Sequence, residues 1–244
     1  MSYKDYLAVD KFPTIWCPGC ALGILLKETA HAFNDLGFKK ENIVTVSGIG
    51  CTGRSSGYFS NDSIHTPHGR PIPVAEGVKG ANPEMNVVVI SGDGDLLGIG
   101  GNHLLHSARR DANITVICVS NEVYGLTGGQ MAPTTKTGAK TLTSPKGSTI
   151  VPMNVQGLLT LNKKHFYART SAYHLPHMRK CIKEALEWDG FSFVEVITMC
   201  MTNYARRLGY KTNYEILMQL KKDFQVKSGE GLLADNEIGI VKHD

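Results

Sequence analysis

The chain has 244 residues, 42% of them apolar, and 26 Lys and Arg stand against 22 Asp and Glu for a formal charge of +4. This is the composition of a soluble globular protein with enough length for one sizeable core, so one domain spanning 1–244 is the default count. Basic residues are scattered in short clusters such as Arg109-Arg110 and Lys163-Lys164, which argues against nucleic acid as a partner, and no segment approaches the roughly 20 apolar residues of a membrane helix.

The first twelve residues, MSYKDYLAVDKF, lack the basic stretch and apolar run of a leader, so a cytoplasmic, unprocessed chain is expected. Leu22, Leu26, Ala30 and Phe33 then recur at helical spacing, with Gly37 placed for a left-handed C-cap; the pattern predicts an amphipathic helix over about 20–36. Three short β-branched runs follow at 43–46, 87–90 and 114–119, each reading as a buried parallel strand. Residues 96–108 are long enough for a crossover helix between the last two. Residues 176–188 (helix) and 192–197 (strand) repeat the alternation, which predicts an α/β fold with a mainly parallel sheet and flanking helices. Such sheets bind ligands beyond the C-terminal ends of their strands. Residues 125–152 are rich in Thr, Gly, Pro and Lys and read as a functional loop. The last twenty or so residues carry little periodic signal; the segment from about 205 to 244 is expected to be a C-terminal extension that contacts a partner.

Directly after the second strand comes Ser91-Gly92-Asp93-Gly94-Asp95, a turn whose glycines allow close backbone approach to an anion at the start of a helix. The dinucleotide fingerprint fails, because Leu97 occupies its last glycine position, and no Walker lysine follows. Asn121 stands 29 residues beyond Gly92, at the end of the next strand. Adjacent strand ends lie about 5 Å apart, so Asp93 and Asn121 are placed to share a hard cation such as magnesium.

Six cysteines in a chain without a secretion signal point to metal, catalysis or burial rather than disulfides. Cys17 and Cys20 form Cys-Pro-Gly-Cys before the first helix, Cys51 closes Gly48-Ile49-Gly50-Cys51 after the first strand, and Cys200 follows the strand at 192–197. Four thiolates of this kind suit either zinc or a [4Fe–4S] cluster. One knuckle joined to two distant cysteines is unlike a zinc ribbon, and a cluster beside a cofactor would serve as an electron acceptor. Cys118 and Cys181 lie within apolar elements and are assigned to packing.

Together these motifs resemble the beta subunit of 2-oxoacid:ferredoxin oxidoreductases over about residues 13–207. The resemblance rests on Trp16-Cys17-Pro18-Gly19-Cys20, Gly48-Ile49-Gly50-Cys51, His68-Gly69-Arg70, the Gly92-to-Asp95 turn and NEVYGLTGGQ from Asn121 to Gln130. The run Pro133-Thr134-Thr135 and the surroundings of Cys200 look closest to the 2-oxoglutarate branch. Leu126 stands where methionine is more usual, and Ser120 where an acidic residue often precedes the asparagine.

The resemblance implies the diphosphate-binding type of thiamine-diphosphate fold. It implies oxidative decarboxylation of a 2-oxoacid, 2-oxoglutarate before pyruvate before branched-chain acids, with the acyl group passing to coenzyme A and electrons to ferredoxin. Magnesium ligands would be Asp93, Asn121 and the Val123 carbonyl, and one [4Fe–4S] cluster would take Cys17, Cys20, Cys51 and Cys200. Ile49, Gly50, Cys51, Thr52, His68, Gly92, Gly94, Asp95, Gly125 and Leu126 would line the cofactor. Arg54 would bind a substrate carboxylate, and His68 would exchange a proton. Thiamine is activated by a glutamate on a separate pyrimidine-binding domain, a role Glu76 does not fit. An alpha subunit is therefore the expected partner, with ferredoxin or a ferredoxin-like subunit as acceptor. The competing readings are another thiamine-dependent decarboxylase or carboligase, which would not need the four cysteines, and a zinc-stabilised nucleotide-binding module.

Overall fold

The protein is described by a computed structural model covering residues 2–243. Its sheet comprises β1 (Ile43–Ser47), β2 (Asp62–His65), β3 (Asn86–Gly92), β4 (Thr115–Ser120), β7 (His165–Ser171), β8 (Ser192–Ile197), β9 (Gln225–Val226) and β10 (Glu237–His243). A hairpin of β5 (Val123–Tyr124) and β6 (Gln130–Met131) stands apart. The order is β2-β1-β3-β4-β8-β7-β10-β9, and every neighbouring pair is parallel except β7 with β10. The helices are α1 (Leu22–Asp35), α2 (Pro71–Ala81), α3 (Gly101–Arg109), α4 (Val155–Leu159), α5 (Leu175–Glu187) and α6 (Asn213–Asp223).

Both faces of the central strands are covered, which is why they read as unbroken apolar runs rather than alternating ones. Val88, Ile90, Ile117 and Val119 face α1 and α5, where Leu25, Leu26, Phe33, Met178 and Ile182 are buried. Val87, Val89, Val116 and Phe193 face the other way and pack with Ile72 and Leu104 of α2 and α3. The period of two within each strand thus feeds two cores from one sequence run. Gly37 takes φ +65° after α1, and Phe38 N donates to Phe33 O, the C-cap expected from the sequence.

Two elements differ from expectation. The crossover after β3 begins not as an α-helix but as a π-helical turn, Gly94–Ile99, in which Gly100 N donates to Asp95 O at 2.9 Å; α3 starts only at Gly101. The extra residue per turn lets Asp95 stay with the strand-end loops, as shown below. The C-terminal residues, weak in periodicity, include a strand of the main sheet: β10 pairs antiparallel with β7, and Ile238 is fully buried. Among the described residues no helix is long and apolar enough to cross a membrane.

Candidate active site

Three loops meet beyond the C-terminal ends of β1, β3 and β4 and enclose a cavity of about 110 Å³. The β1 loop contributes Ile49, Gly50, Cys51 and Thr52, the β3 turn Gly92, Asp93, Gly94 and Asp95, and the segment after β4 Asn121, Val123, Gly125 and Leu126; His68 closes one side. Every residue expected at the cofactor or at magnesium therefore lies on one lining. Tyr124 and Thr127 join it, and neither was singled out from the sequence. Tyr124 lies across the glycine turn: its hydroxyl donates to Gly94 O at 3.1 Å, and a Cβ at Gly94 would stand 2.3 Å from its ring. Glycine is required there by close approach, not only by turn geometry.

Asp93 is 2% exposed. One carboxylate oxygen accepts from Gly94 N at 2.8 Å; the other accepts from Glu122 N at 2.9 Å and from the Thr134 hydroxyl. Burial nevertheless outweighs these bonds and lifts the carboxyl to about 6. Three of the roughly four lone-pair directions of a carboxylate are thus engaged, leaving one for a cation. Asn121 Oδ1 accepts from Val123 N at 3.2 Å, which turns the amide oxygen at the end of the neighbouring strand. A buried acid with a free lone pair beside an oriented amide oxygen is a donor set that suits magnesium.

Asp95, equally buried, ties the loops together. Its Oδ1 accepts from Gly69 N at 2.7 Å, from Ile49 N at 3.1 Å and from His68 Nδ1, while Oδ2 accepts from Ser91 Oγ at 2.8 Å. Gly48 is fitted to this carboxylate, since a Cβ there would fall 2.0 Å from Asp95 Oδ2. The sequence places Asp95 only on the cofactor lining; the fold also makes it join the β1 loop to the His68 turn, segments that lie 46 and 27 residues away.

The four cysteines come together around a second, adjoining cavity of about 230 Å³, with Arg54, Asn121, Gly125 and Leu126 also on its wall. A Cβ at Gly125 would lie 3.2 Å from Cys200 Sγ and 3.9 Å from Cys51 Sγ, so the thiols border the cofactor loop directly. Trp16 holds the β1 loop here by donating from Nε1 to Cys51 O at 2.8 Å. Burial, and then the neighbouring sulfurs, push the Cys51 thiol to about 11. Burial likewise raises Cys20 and Cys200. Thiols in this setting keep their protons until a cationic centre sits among them. Among the described residues no three His, Cys, Asp or Glu side chains form a group that could hold a metal ion as they stand; the sulfurs line a wall instead. Cys118 and Cys181 are buried in the two cores and line neither cavity. Arg54 is exposed and borders the cysteine cavity rather than the cofactor cavity.

The profile of the thiamine pyrophosphate enzyme C-terminal TPP binding domain matches residues 48–196, which span all three loops of the cofactor cavity. The chain is 41% identical to 2-oxoglutarate synthase subunit KorB of Archaeoglobus fulgidus over 99% of its own length and 89% of that protein. It is 40% identical to the beta subunit of 2-oxoacid:ferredoxin oxidoreductase 2 of Aeropyrum pernix, over 87% of this chain and 72% of that one. It belongs to the beta-subunit family of 2-oxoacid:ferredoxin oxidoreductases. A solved 2-oxoglutarate:ferredoxin oxidoreductase from Magnetococcus marinus, described with 2-oxoglutarate, coenzyme A and succinyl-CoA bound, superposes with a TM-score of 0.89 at 30% identity. That match covers 100% of this chain and 85% of the other. As a beta subunit the chain is an oxidoreductase component that acts within a larger complex, and its sheet is the expected thiamine-diphosphate fold.

Proposed function

We propose that this beta subunit holds the diphosphate end of thiamine diphosphate with Mg2+ and one [4Fe–4S] cluster, in an enzyme that converts 2-oxoglutarate and coenzyme A to succinyl-CoA and CO2 while reducing ferredoxin. The observation that carries this reading is the shared wall of the two cavities: Cys51, Asn121, Gly125 and Leu126 border both. When bound, thiamine diphosphate supplies an electron sink for breaking the bond between the carboxylate and keto carbons, and the cluster supplies an acceptor for the released electrons.

This chain's own residues would bind and position these groups. Asp93, Asn121 and the Val123 carbonyl would take the cation, and Ile49 to Thr52, Gly92, Gly94, Gly125 and Leu126 would shape the wall around the cofactor. Asp95 accepts the Nδ1 proton of His68, which leaves Nε2 as the lone-pair nitrogen of a half-exposed ring on the cavity lining, able to take or return a proton there. Cys17, Cys20, Cys51 and Cys200 would hold the cluster; sulfurs spread along a cavity wall suit a multi-atom cluster better than a lone zinc. Arg54, on the same wall, is the guanidinium for a distal substrate carboxylate, which favours the dicarboxylate 2-oxoglutarate.

Glu76 pairs with Arg110 at 2.7 Å on α2 and stands outside the lining, so the activating glutamate is assigned to an alpha subunit. Six cysteines with no disulfide among the described residues fit a reducing cytoplasm. The test is coenzyme A-dependent reduction of ferredoxin or viologen by the co-purified complex across 2-oxoglutarate, pyruvate and branched-chain 2-oxoacids. Highest kcat/KM with 2-oxoglutarate is expected; colourless protein carrying zinc and no iron would sink the cluster assignment.

A further inference from the structure

We propose that Glu122 and Tyr204 are positioning residues that staple the Asn121 loop to the Cys200 loop, so that loading of the cofactor cavity is felt at the cysteine cavity. The inference rests on the reading that Asp93 and Asn121 hold the cation and Cys200 the cluster.

Glu122 is buried, not glycine, and sits at φ +66° in the left-handed region. Such a conformation persists only where the surroundings impose it. Here both backbone and side chain are held. Glu122 N donates to Asp93 Oδ2 at 2.9 Å, and Glu122 O accepts from the Thr135 hydroxyl. Its Oε1 lies 3.2 Å from Lys136 Nζ, and Oε2 accepts from Tyr204 Oη at 2.7 Å.

The Tyr204 end is equally fixed. Tyr204 is fully buried, its N donates to Cys200 O at 3.1 Å, and Ala205 N donates to the same oxygen at 2.9 Å. A second rung lies beside it, where Asn203 Nδ2 donates to Gly125 O at 2.8 Å. The loop at 121–125 is thus tied at both ends to the loop at 200–204. The path from Asp93 to Cys200 runs through hydrogen bonds and two residues' covalent frames.

The bond between Tyr204 and Glu122 joins the two loops at the end of that path nearest Asp93. Without it, Glu122 can relax toward negative φ, which turns its N–H from Asp93 and shifts Asn121. The same loss frees the side chain that anchors the turn after Cys200. A neutral phenol donating to a buried carboxylate is therefore placed to transmit a change in either loop to the other.

The test uses the intact complex with its partner subunits, purified anaerobically, depleted of thiamine diphosphate and Mg2+ and titrated with both. Tyr204→Phe removes one oxygen. The expected result is wild-type iron content and melting temperature, a thiamine diphosphate dissociation constant raised about tenfold, and little change in KM for the 2-oxoacid. In wild type, thiamine diphosphate should also alter the electron paramagnetic resonance spectrum of the reduced cluster; in Tyr204→Phe that response should be lost. A variant with wild-type affinity and wild-type spectral response overturns the proposal. Wild-type complex without iron, or without affinity for thiamine diphosphate, overturns the site reading and the staple together. Should Tyr204→Phe unfold, Glu122→Ala and Glu122→Gln decide: weakened binding in Ala restored in Gln, which keeps an acceptor for Tyr204, sustains the staple, and wild-type binding in both overturns it.

Discussion

The buried carboxylate of Asp95 accepts the Nδ1 proton of His68, and the same oxygen accepts from the neighbouring Gly69 N at 2.7 Å. One atom therefore fixes both the turn that carries the imidazole and the tautomer of the ring. Asp95→Asn keeps the shape but removes the charge: an amide oxygen in place of Oδ1 accepts more weakly from Gly69 N, Ile49 N and His68 Nδ1, and the NH2 turns to Ser91 Oγ. Turnover is expected to fall about 10- to 100-fold with thiamine diphosphate still bound. Steady-state kinetics beside cofactor titration check this; undiminished kcat would remove His68 from the proton chemistry.

Asp93 gives the site a pH dependence. Its carboxyl is raised from 3.8 to about 6 by burial, so between about pH 4 and 6 the folded chain holds a proton that the unfolded chain has released. Stability of the cofactor-free protein therefore falls as pH rises through that window and is level above it, a cost of about 3 kcal/mol for the ionised form at neutral pH. In the proposed site Mg2+ would bind that ionised form and offset the cost. Affinity for Mg2+ with thiamine diphosphate should be flat above about pH 6 and fall about tenfold per unit below it. Calorimetric titration across pH measures this, and Asp93→Asn should abolish both the binding and the slope.

Much of this site was legible because strand ends in a parallel sheet are neighbours whatever lies between them. Gly92 to Asp95 and Asn121 follow adjacent strands, so a spacing of about thirty residues translates into contact. Cys17, Cys20, Cys51 and Cys200 were legible as a set from their chemistry and their loop positions. The π-helical start of the crossover was not, because a single extra residue in a turn leaves no periodic mark in six residues. Nor were the bonds from Thr134 to Asp93 and from Tyr204 to Glu122, which span 41 and 82 residues and depend on how an irregular loop and the segment after β8 fold back. The strand β10 escaped because it alternates weakly and draws its pairing from β7 and from the two-residue edge strand β9.

Glycine in the turn after β3 can be tested separately from the cofactor. In Gly94→Ala the new methyl would meet the Tyr124 ring, which itself holds the turn, so a loss of about 1–3 kcal/mol is expected. At about 2–4 °C per kcal/mol for a chain of this size, the shift is readable by thermal melting. Gly77→Ala is the control: it lies exposed inside α2 with nothing within 4 Å of the new atom, and should be neutral or stabilising by up to about 1 kcal/mol.

The six cysteines divide sharply by surroundings, and iron content should divide with them. Cys51→Ser and Cys200→Ser each remove a sulfur from the wall of the cysteine cavity, and oxygen is a poor substitute for thiolate in a cluster. Both variants should lose most of their iron and their ferredoxin reduction. Cys181→Ala touches neither cavity: its thiol is fully buried on α5, pushed to about 12 by burial, and belongs to the core beneath α1. That variant should keep full iron and activity while losing about 1 kcal/mol of stability from the small void. Iron quantified per chain in the three variants, purified side by side without oxygen, separates the outcomes. Iron retained in Cys51→Ser and lost in Cys181→Ala would reverse the assignment, because only the first sulfur lies within reach of the loop that carries Asn121.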